Sequence, residues 1–458
     1  MHAWSTIMVI NGKPSKNVLK QAAMETYLLP VAALLLLLAH VGNPLCDFSH
    51  DDGTLKVFHA SSPCSPLSSG RPHSSGDAVL HTQARDNDRL LSLTSLQVVN
   101  PGVPVASGRQ ILDTPAYILF AQVGTPLQTL LMAIDTASDA AWIPCTGCGF
   151  CSSAVFNVNN STTFSSLSCK ASECSQAPNS ACGPRLQCSF NAEYKGSVIF
   201  ADLSKDTLTL GNDTVPKYAF GCLTRSVGVN VPAQGVLGLG RGPLSLMSQG
   251  RSVFKSTFSY CLPSILSFNF TGSLRLGLAG QPKKIRSTQL LWNPRNPSLY
   301  YVKLAGIRFG GVVLDIPDSA FDFNIQTGAG TIIDTGVAYT RLVPAAYTVL
   351  RDEFRAKVGG DNVVLKRGDF DTCYKEPLVS PSITLIFSGF ELALPPENFL
   401  IQTAYGNVTC LAMVASPANA EVQLNVIGSM QQQNYRVLID IPHARVGFSR
   451  EECSVPIV

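Results

Sequence analysis

The chain has 458 residues, 45% hydrophobic and 14% charged, which excludes a disordered polymer and leaves room for two or three domains. Its net charge of +3 is small and its basic residues are scattered, so neither nucleic acid nor a membrane surface is expected as a partner. Fourteen cysteines, eight of them between Cys145 and Cys222, favour disulfides and an oxidising compartment.

In chain order, residues 1–46 read as an N-terminal extension and signal peptide. Tyr27 to Ala39 is uncharged and contains five consecutive leucines, Leu34 to Leu38. That run has the length of a signal-peptide core and falls short of the ~20 residues of a membrane span. Lys13, Lys16 and Lys20 supply a long basic lead-in, and Met24 offers an internal start that would give a more compact signal. Residues 47–106 read as a prosegment. They are rich in Ser, Pro, His and Gly, and Ala84 to Leu91 predicts a short charged helix. Cys46 and Cys64 stand at its start.

From Tyr117 onward, short apolar runs are broken repeatedly by Gly and Pro, which predicts a mainly β protein. Examples are Ala116 to Phe120, Thr207 to Leu210, Ser273 to Gly277 and Tyr300 to Leu304. Two helices are expected: Pro344 to Phe354, with Pro in its first turn, and the shorter Leu244 to Gln249. The chain divides into two comparable parts, 107–263 and 264–458. Sequons at Asn159, Asn160, Asn212, Asn269 and Asn407 agree with secretion.

A repeated phrase carries the chemistry. Leu131-Met132-Ala133-Ile134-Asp135-Thr136-Ala137 is answered by Gly330-Thr331-Ile332-Ile333-Asp334-Thr335-Gly336. Each copy also has a downstream echo, Val236-Leu237-Gly238 for the first and Val426-Ile427-Gly428 for the second. The repeat implies two similar halves, each delivering one carboxylate. Two carboxylates about 3 Å apart cannot both ionise, so together they hold one proton and serve as base and acid to activate water.

On these residues the stretch from about Tyr117 to Cys453 resembles the pepsin-fold aspartic proteases, and within them the plant nepenthesin-like group. The resemblance implies a bilobal fold of two pseudo-symmetric β-barrel-like lobes. It implies catalytic Asp135 and Asp334, held by Thr136, Ser138, Thr335 and Gly336, and a flap tyrosine at Tyr194 supported by Trp142. It also implies the pairings Cys145–Cys148, Cys151–Cys222, Cys169–Cys188, Cys174–Cys182, Cys261–Cys453 and Cys373–Cys410. By itself, Cys145-x2-Cys148-x2-Cys151 has the look of a metal site, but a secreted chain with further cysteines makes disulfides the better reading. None of the seven histidines falls in a metal-ligand motif; no metal or cofactor is implied, and His443 reads as a turn residue.

Three positions depart from the family pattern. Ala137 stands where Gly or Ser is usual. Val337 stands where a hydroxyl would donate to the Asp334 carboxylate, a loss of about 1.5–3 kcal/mol. The flap reads Tyr194-Lys195-Gly196-Ser197, with Lys195 near the mouth of the cleft. The expectation is therefore a secreted aspartic endopeptidase made as a zymogen, a monomer in the apoplast in preference to vacuole or plastid, acting on peptide or protein substrates at acidic pH. The alternative is a catalytically weak or inactive binding or inhibitor protein on the same fold.

Overall fold

The structure is a computed structural model. It describes residues 54–59, 83, 86 and 117–453, apart from 150, 152–154, 229–234, 264–270, 360–364, 376–377, 404–407 and 418–419. All of these belong to one unit, Ser49–Val458. The signal segment, Cys46, Cys64, Asn269 and Asn407 lie outside the described residues. Among the described residues, no helix is long and apolar enough to cross a membrane.

The molecule is mainly β, with two lobes of sheets and few helices, as the Gly- and Pro-punctuated pattern led us to expect. The two lobes repeat one construction. In the first, the strand Gln128–Asp135 lies parallel to Val236–Gly238, with Gly238 opposite Asp135. In the second, Gly330–Ile333 lies parallel to Leu424–Ile427. The downstream echoes in the sequence are thus the strands that pack beside the two Asp-bearing strands. Both echoes end in glycine for a steric reason. A Cβ at Gly238 would lie 2.1 Å from the Asp139 carbonyl oxygen, and one at Gly428 would lie 2.7 Å from the Tyr339 carbonyl carbon. Only hydrogen fits there.

A shared sheet joins the lobes. Thr257–Cys261 pairs with both Thr271–Leu276 and Tyr435–Asp440. Tyr435–Asp440 continues to Arg445–Arg450, and that strand to Arg286–Leu291. At the other side, the strand Thr54–His59 pairs antiparallel with Thr271–Leu276 and also meets Tyr117 and Ile118. A strand from the region expected to be a prosegment is therefore built into the sheet that unites the lobes.

The helix Pro344–Phe354 forms as the spacing predicts. Ala346, Tyr347, Leu350 and Phe354 are its buried residues, at helical spacing on one face. The shorter helix runs over Leu246–Gln249, with Ser245 capping it through its hydroxyl. His443 lies in the turn after Tyr435–Asp440, its ring nitrogen 2.8 Å from Asp440. Asn159, Asn160 and Asn212 are exposed.

Six disulfides are present among the described residues. Cys261–Cys453 and Cys373–Cys410 pair as the family resemblance implies. The other four pairings differ from that expectation. Cys145 bonds Cys222, not Cys148, because Trp142–Pro144 runs parallel to the strand carrying Cys222 and delivers the two residues side by side. Cys148 then bonds Cys151 across a turn. In the insertion, Cys174 bonds Cys188 and Cys169 bonds Cys182. Here burial decides: Cys174 and Cys188 are both interior, whereas Cys182 is exposed and Cys169 half-buried.

Candidate active site

The two Asp-Thr loops meet and are locked by crossed hydrogen bonds. The amide of Thr335 donates to Thr136 Oγ1 at 3.0 Å, and the amide of Thr136 donates to Thr335 Oγ1 at 3.3 Å. The two hydroxyl oxygens lie 3.4 Å apart. Thr136 Oγ1 also donates to Asp334 Oδ1 at 3.4 Å, so one threonine both joins the loops and touches the second carboxylate. Each carboxylate accepts the amide two residues on: Ala137 N at 2.9 Å for Asp135 and Gly336 N at 2.8 Å for Asp334. Asp135 and Asp334 are both fully buried.

The loops rest on their echo strands. Leu239 N donates to Asp135 O at 2.8 Å, and Asp334 N donates to Ile427 O at 3.2 Å. Ser138 enters this support through its carbonyl oxygen, which accepts from Gly240 N at 2.8 Å. Val337 is fully buried against an apolar group that includes Leu299, Tyr301, Ile332 and Val426. Its carbonyl oxygen accepts from Ser429 N at 2.7 Å.

The hairpin expected to serve as the flap is formed by Cys188–Tyr194 and Ser197–Leu210, with Tyr194 opposite Ser197. Its two-residue turn is Lys195-Gly196, with φ of 51° and 74°. Positive φ at both positions is what a tight turn matched to the strand twist requires. The Tyr194 ring meets Trp142 edge to face, with centroids 5.5 Å apart. Lys195 is not at an open mouth: it is 1% exposed, its ammonium 5.5 Å from the Tyr194 ring centroid.

Several supporting residues escaped the sequence reading. Gln432 donates from Nε2 to Ile427 O at 2.8 Å and to Asp334 O at 3.3 Å, and its Oε1 accepts from the buried Tyr260 hydroxyl. Burial, and then the charge of Asp334, push the Tyr260 hydroxyl well above the usual phenol range. Asp139 accepts from Gly242 N at 2.7 Å and from the Ser298 hydroxyl, tying the first loop to the second half of the chain. Burial raises its pKa, and the Ser298 bond opposes that rise. Asp139 lies within the quoted motif, but nothing local marked Ser298 or Gln432.

Arg341 also went unnoticed. It stands seven residues past Asp334, as Trp142 stands seven past Asp135. Each pairs with its own echo strand, Trp142 with Val236 and Arg341 with Val426. The second lobe thus places a buried guanidinium where the first places an indole. Arg341 Nη2 donates to Asp369 Oδ2 at 3.1 Å and to the Gln83 carbonyl oxygen at 3.0 Å. The repeat could have flagged this position by register alone.

Comparison with known proteins agrees with this geometry. The family descriptions "Xylanase inhibitor N-terminal" and "Xylanase inhibitor C-terminal" match residues 117–278 and 299–450. The chain is 45% identical to aspartyl protease AED3 of Arabidopsis thaliana, over 89% of this chain and 94% of the relative. It is 41% identical to aspartyl protease 25 of Oryza sativa subsp. japonica, over 87% and 94%. It is 31% identical to aspartic proteinase nepenthesin-2 of Nepenthes gracilis, over 84% and 88%. Among solved structures, basic 7S globulin from soybean shares the fold, with a TM-score of 0.60 at 22% identity over 75% of this chain and 96% of that one. Fold and paired Asp-Thr loops define a pepsin-like aspartic protease. The chain belongs to the plant aspartyl protease family that includes the nepenthesins, and it is an aspartic endopeptidase.

Proposed function

We propose that the protein is a secreted endopeptidase, made as a zymogen, that cuts peptide bonds at acidic pH with water activated by Asp135 and Asp334. The observation that carries this reading is the crossed pair of Thr136 and Thr335 hydrogen bonds, which holds the two buried carboxylates in facing loops. In the working state one carboxylate is ionised and the other protonated. The ionised group takes a proton from water as its oxygen attacks the substrate carbonyl carbon. The protonated group gives its proton to the carbonyl oxygen, forming a gem-diol. The diol then collapses, the nitrogen takes a proton, and the C–N bond breaks, so no covalent enzyme intermediate forms. Tyr194 closes over the substrate, and Trp142 holds its ring. Asn159, Asn160 and Asn212 are exposed and so open to glycosylation on the secretory route.

The zymogen reading rests on Thr54–His59 in the inter-lobe sheet and on Gln83 and Asp86, both buried against the second lobe. Asp369 N donates to Gln83 Oε1 at 2.8 Å. Residues 54–59, 83 and 86 would therefore belong to a docked prosegment. A second reading is favoured by Val337 and by the inhibitor name of the matching family descriptions: a protein that binds a partner in the cleft without cutting it. The two separate on one assay. The chain is incubated with a denatured protein at acidic pH, with and without pepstatin, beside Asp135→Asn. Cleavage abolished by pepstatin and by the mutation is expected. Cleavage persisting in Asp135→Asn refutes the dyad mechanism, and no cleavage in any condition favours the binding protein.

A further inference from the structure

Beside the crossed threonines, a second set of hydrogen bonds runs between the lobes and joins the same two aspartates. Leu239, whose amide donates to Asp135 O at 2.8 Å, offers its own carbonyl oxygen to the Tyr300 hydroxyl at 2.6 Å. Tyr300 stands opposite Ile333, the residue before Asp334, in an antiparallel strand pair. Two residues before Tyr300, the Ser298 hydroxyl donates to Asp139 Oδ2, and the Ser298 carbonyl oxygen accepts from Arg241 N at 3.2 Å. Asp139 is four residues past Asp135, and its Oδ1 accepts from Gly242 N at 2.7 Å. Residues 298–300 are therefore bound on one side to the loop that carries Asp135 and on the other to the strand that delivers Asp334.

The run Gly240-Arg241-Gly242 is shaped around this carboxylate. A Cβ on Gly240 would lie 2.4 Å from Asp139 Oδ1, and one on Gly242 would lie 2.0 Å from Oδ2. Both distances are far inside contact, so the Asp139 side chain fits only because these two positions carry none. A carboxylate that accepts both an amide and a hydroxyl makes hydrogen bonds of the stronger, charge-assisted kind. The amide comes from its own lobe, but the hydroxyl comes from the other. The contact is also made once: four residues past Asp334 stands Ala338, which has no side-chain acceptor.

We propose that Asp139 and Ser298 form a second lock between the lobes, and that Asp139 is thereby a positioning residue for the reaction, fixing how far Asp135 stands from Asp334. This rests on the reading of those two aspartates as the catalytic pair. The threonine grip holds the two loops at their tips, whereas this lock holds them from the side, through Ser298 and Tyr300. A shift of about 1 Å in a reacting group can cost on the order of a hundred-fold in rate. Loosening the lock should therefore act on turnover more than on substrate binding.

A double-mutant cycle on the full chain tests it, read by kcat and KM for a peptide cleaved at acidic pH and by unfolding in denaturant. Ser298→Ala should lower kcat by about ten-fold and change KM by less than about two-fold. Ser298→Thr, which keeps the hydroxyl, should recover most of that loss, and Gly242→Ala, which displaces the carboxylate, should reproduce it. In an Asp139→Ala background, Ser298→Ala should cost almost no further kcat, because the bond it removes is already gone. Additive losses of kcat, a Ser298→Ala loss confined to KM or to stability, or no loss at all overturns the lock and leaves the protease reading intact. Should Asp139→Ala fail to fold, the contrast between Ser298→Ala and Ser298→Thr decides alone. Absence of cleavage by the unaltered chain removes the dyad reading and the positioning role with it.

Discussion

Replacing the two grip threonines one at a time should give unequal losses, although the sequence repeat makes them look equivalent. In Thr136→Val, the amide of Thr335 loses its 3.0 Å acceptor and Asp334 loses its 3.4 Å donor. A buried amide left without a partner costs about 1–3 kcal/mol, and a lost bond to a carboxylate costs about 1.5–3 kcal/mol. The sum is about 3–5 kcal/mol, allowing for some relaxation. In Thr335→Val, the amide of Thr136 loses a 3.3 Å acceptor, a longer contact than the 3.0 Å one that the amide of Thr335 makes to Thr136 Oγ1. That loss is about 1–3 kcal/mol. Both variants should be less stable in denaturant. Thr136→Val should in addition cut kcat/KM by a further ten-fold or so, and Thr136→Ser should recover most of it. An equal or larger loss in Thr335→Val would refute the asymmetry.

Three further outcomes follow from particular contacts. Val337→Thr should raise peptidase activity several-fold by giving Asp334 a donor, at a cost of about 1–3 kcal/mol in stability because Val337 is fully buried among apolar side chains; an unchanged rate and pH profile would sink this idea. Burial raises the Asp86 pKa from 3.8 to about 6, against the opposing pull of Arg341 and the two amides. The docked segment therefore binds this proton more tightly than the released one. Docking is unpenalised below about pH 4 and progressively weaker as pH rises to 6, by ~3 kcal/mol in all. Protection of the segment from an added protease in the Asp135→Asn chain should fall between pH 4 and 7, and Asp86→Asn should flatten that slope; protection that rises with pH through Asp86 would show the sign to be wrong. Finally, breaking Cys145–Cys222, which spans 77 residues, should cost about 4–5 kcal/mol, against about 2 kcal/mol for Cys148–Cys151, which spans 3; comparable denaturant midpoints for the two double-Ala variants would contradict this ranking.

Local sequence was enough for whatever depends on local pattern. The period and punctuation of the apolar runs determined a mainly β chain, and Pro344 with its 3.6-residue spacing determined the helix Pro344–Phe354. The duplicated Asp-Thr phrase and its Gly-ended echoes determined the two matching half-sites, because a carboxylate at a strand end and a glycine at a close backbone approach are needed twice. Tertiary structure alone decided which groups meet across long separations. Cys145 finds Cys222 because two parallel strands bring them together, not because of spacing. Gln432 reaches the backbone of Asp334, and Ser298 reaches Asp139, through contacts that leave no local trace. The same is true of Asp86: a single acid in a charged run means little until folding sets it against the amides of Ala338 and Tyr339.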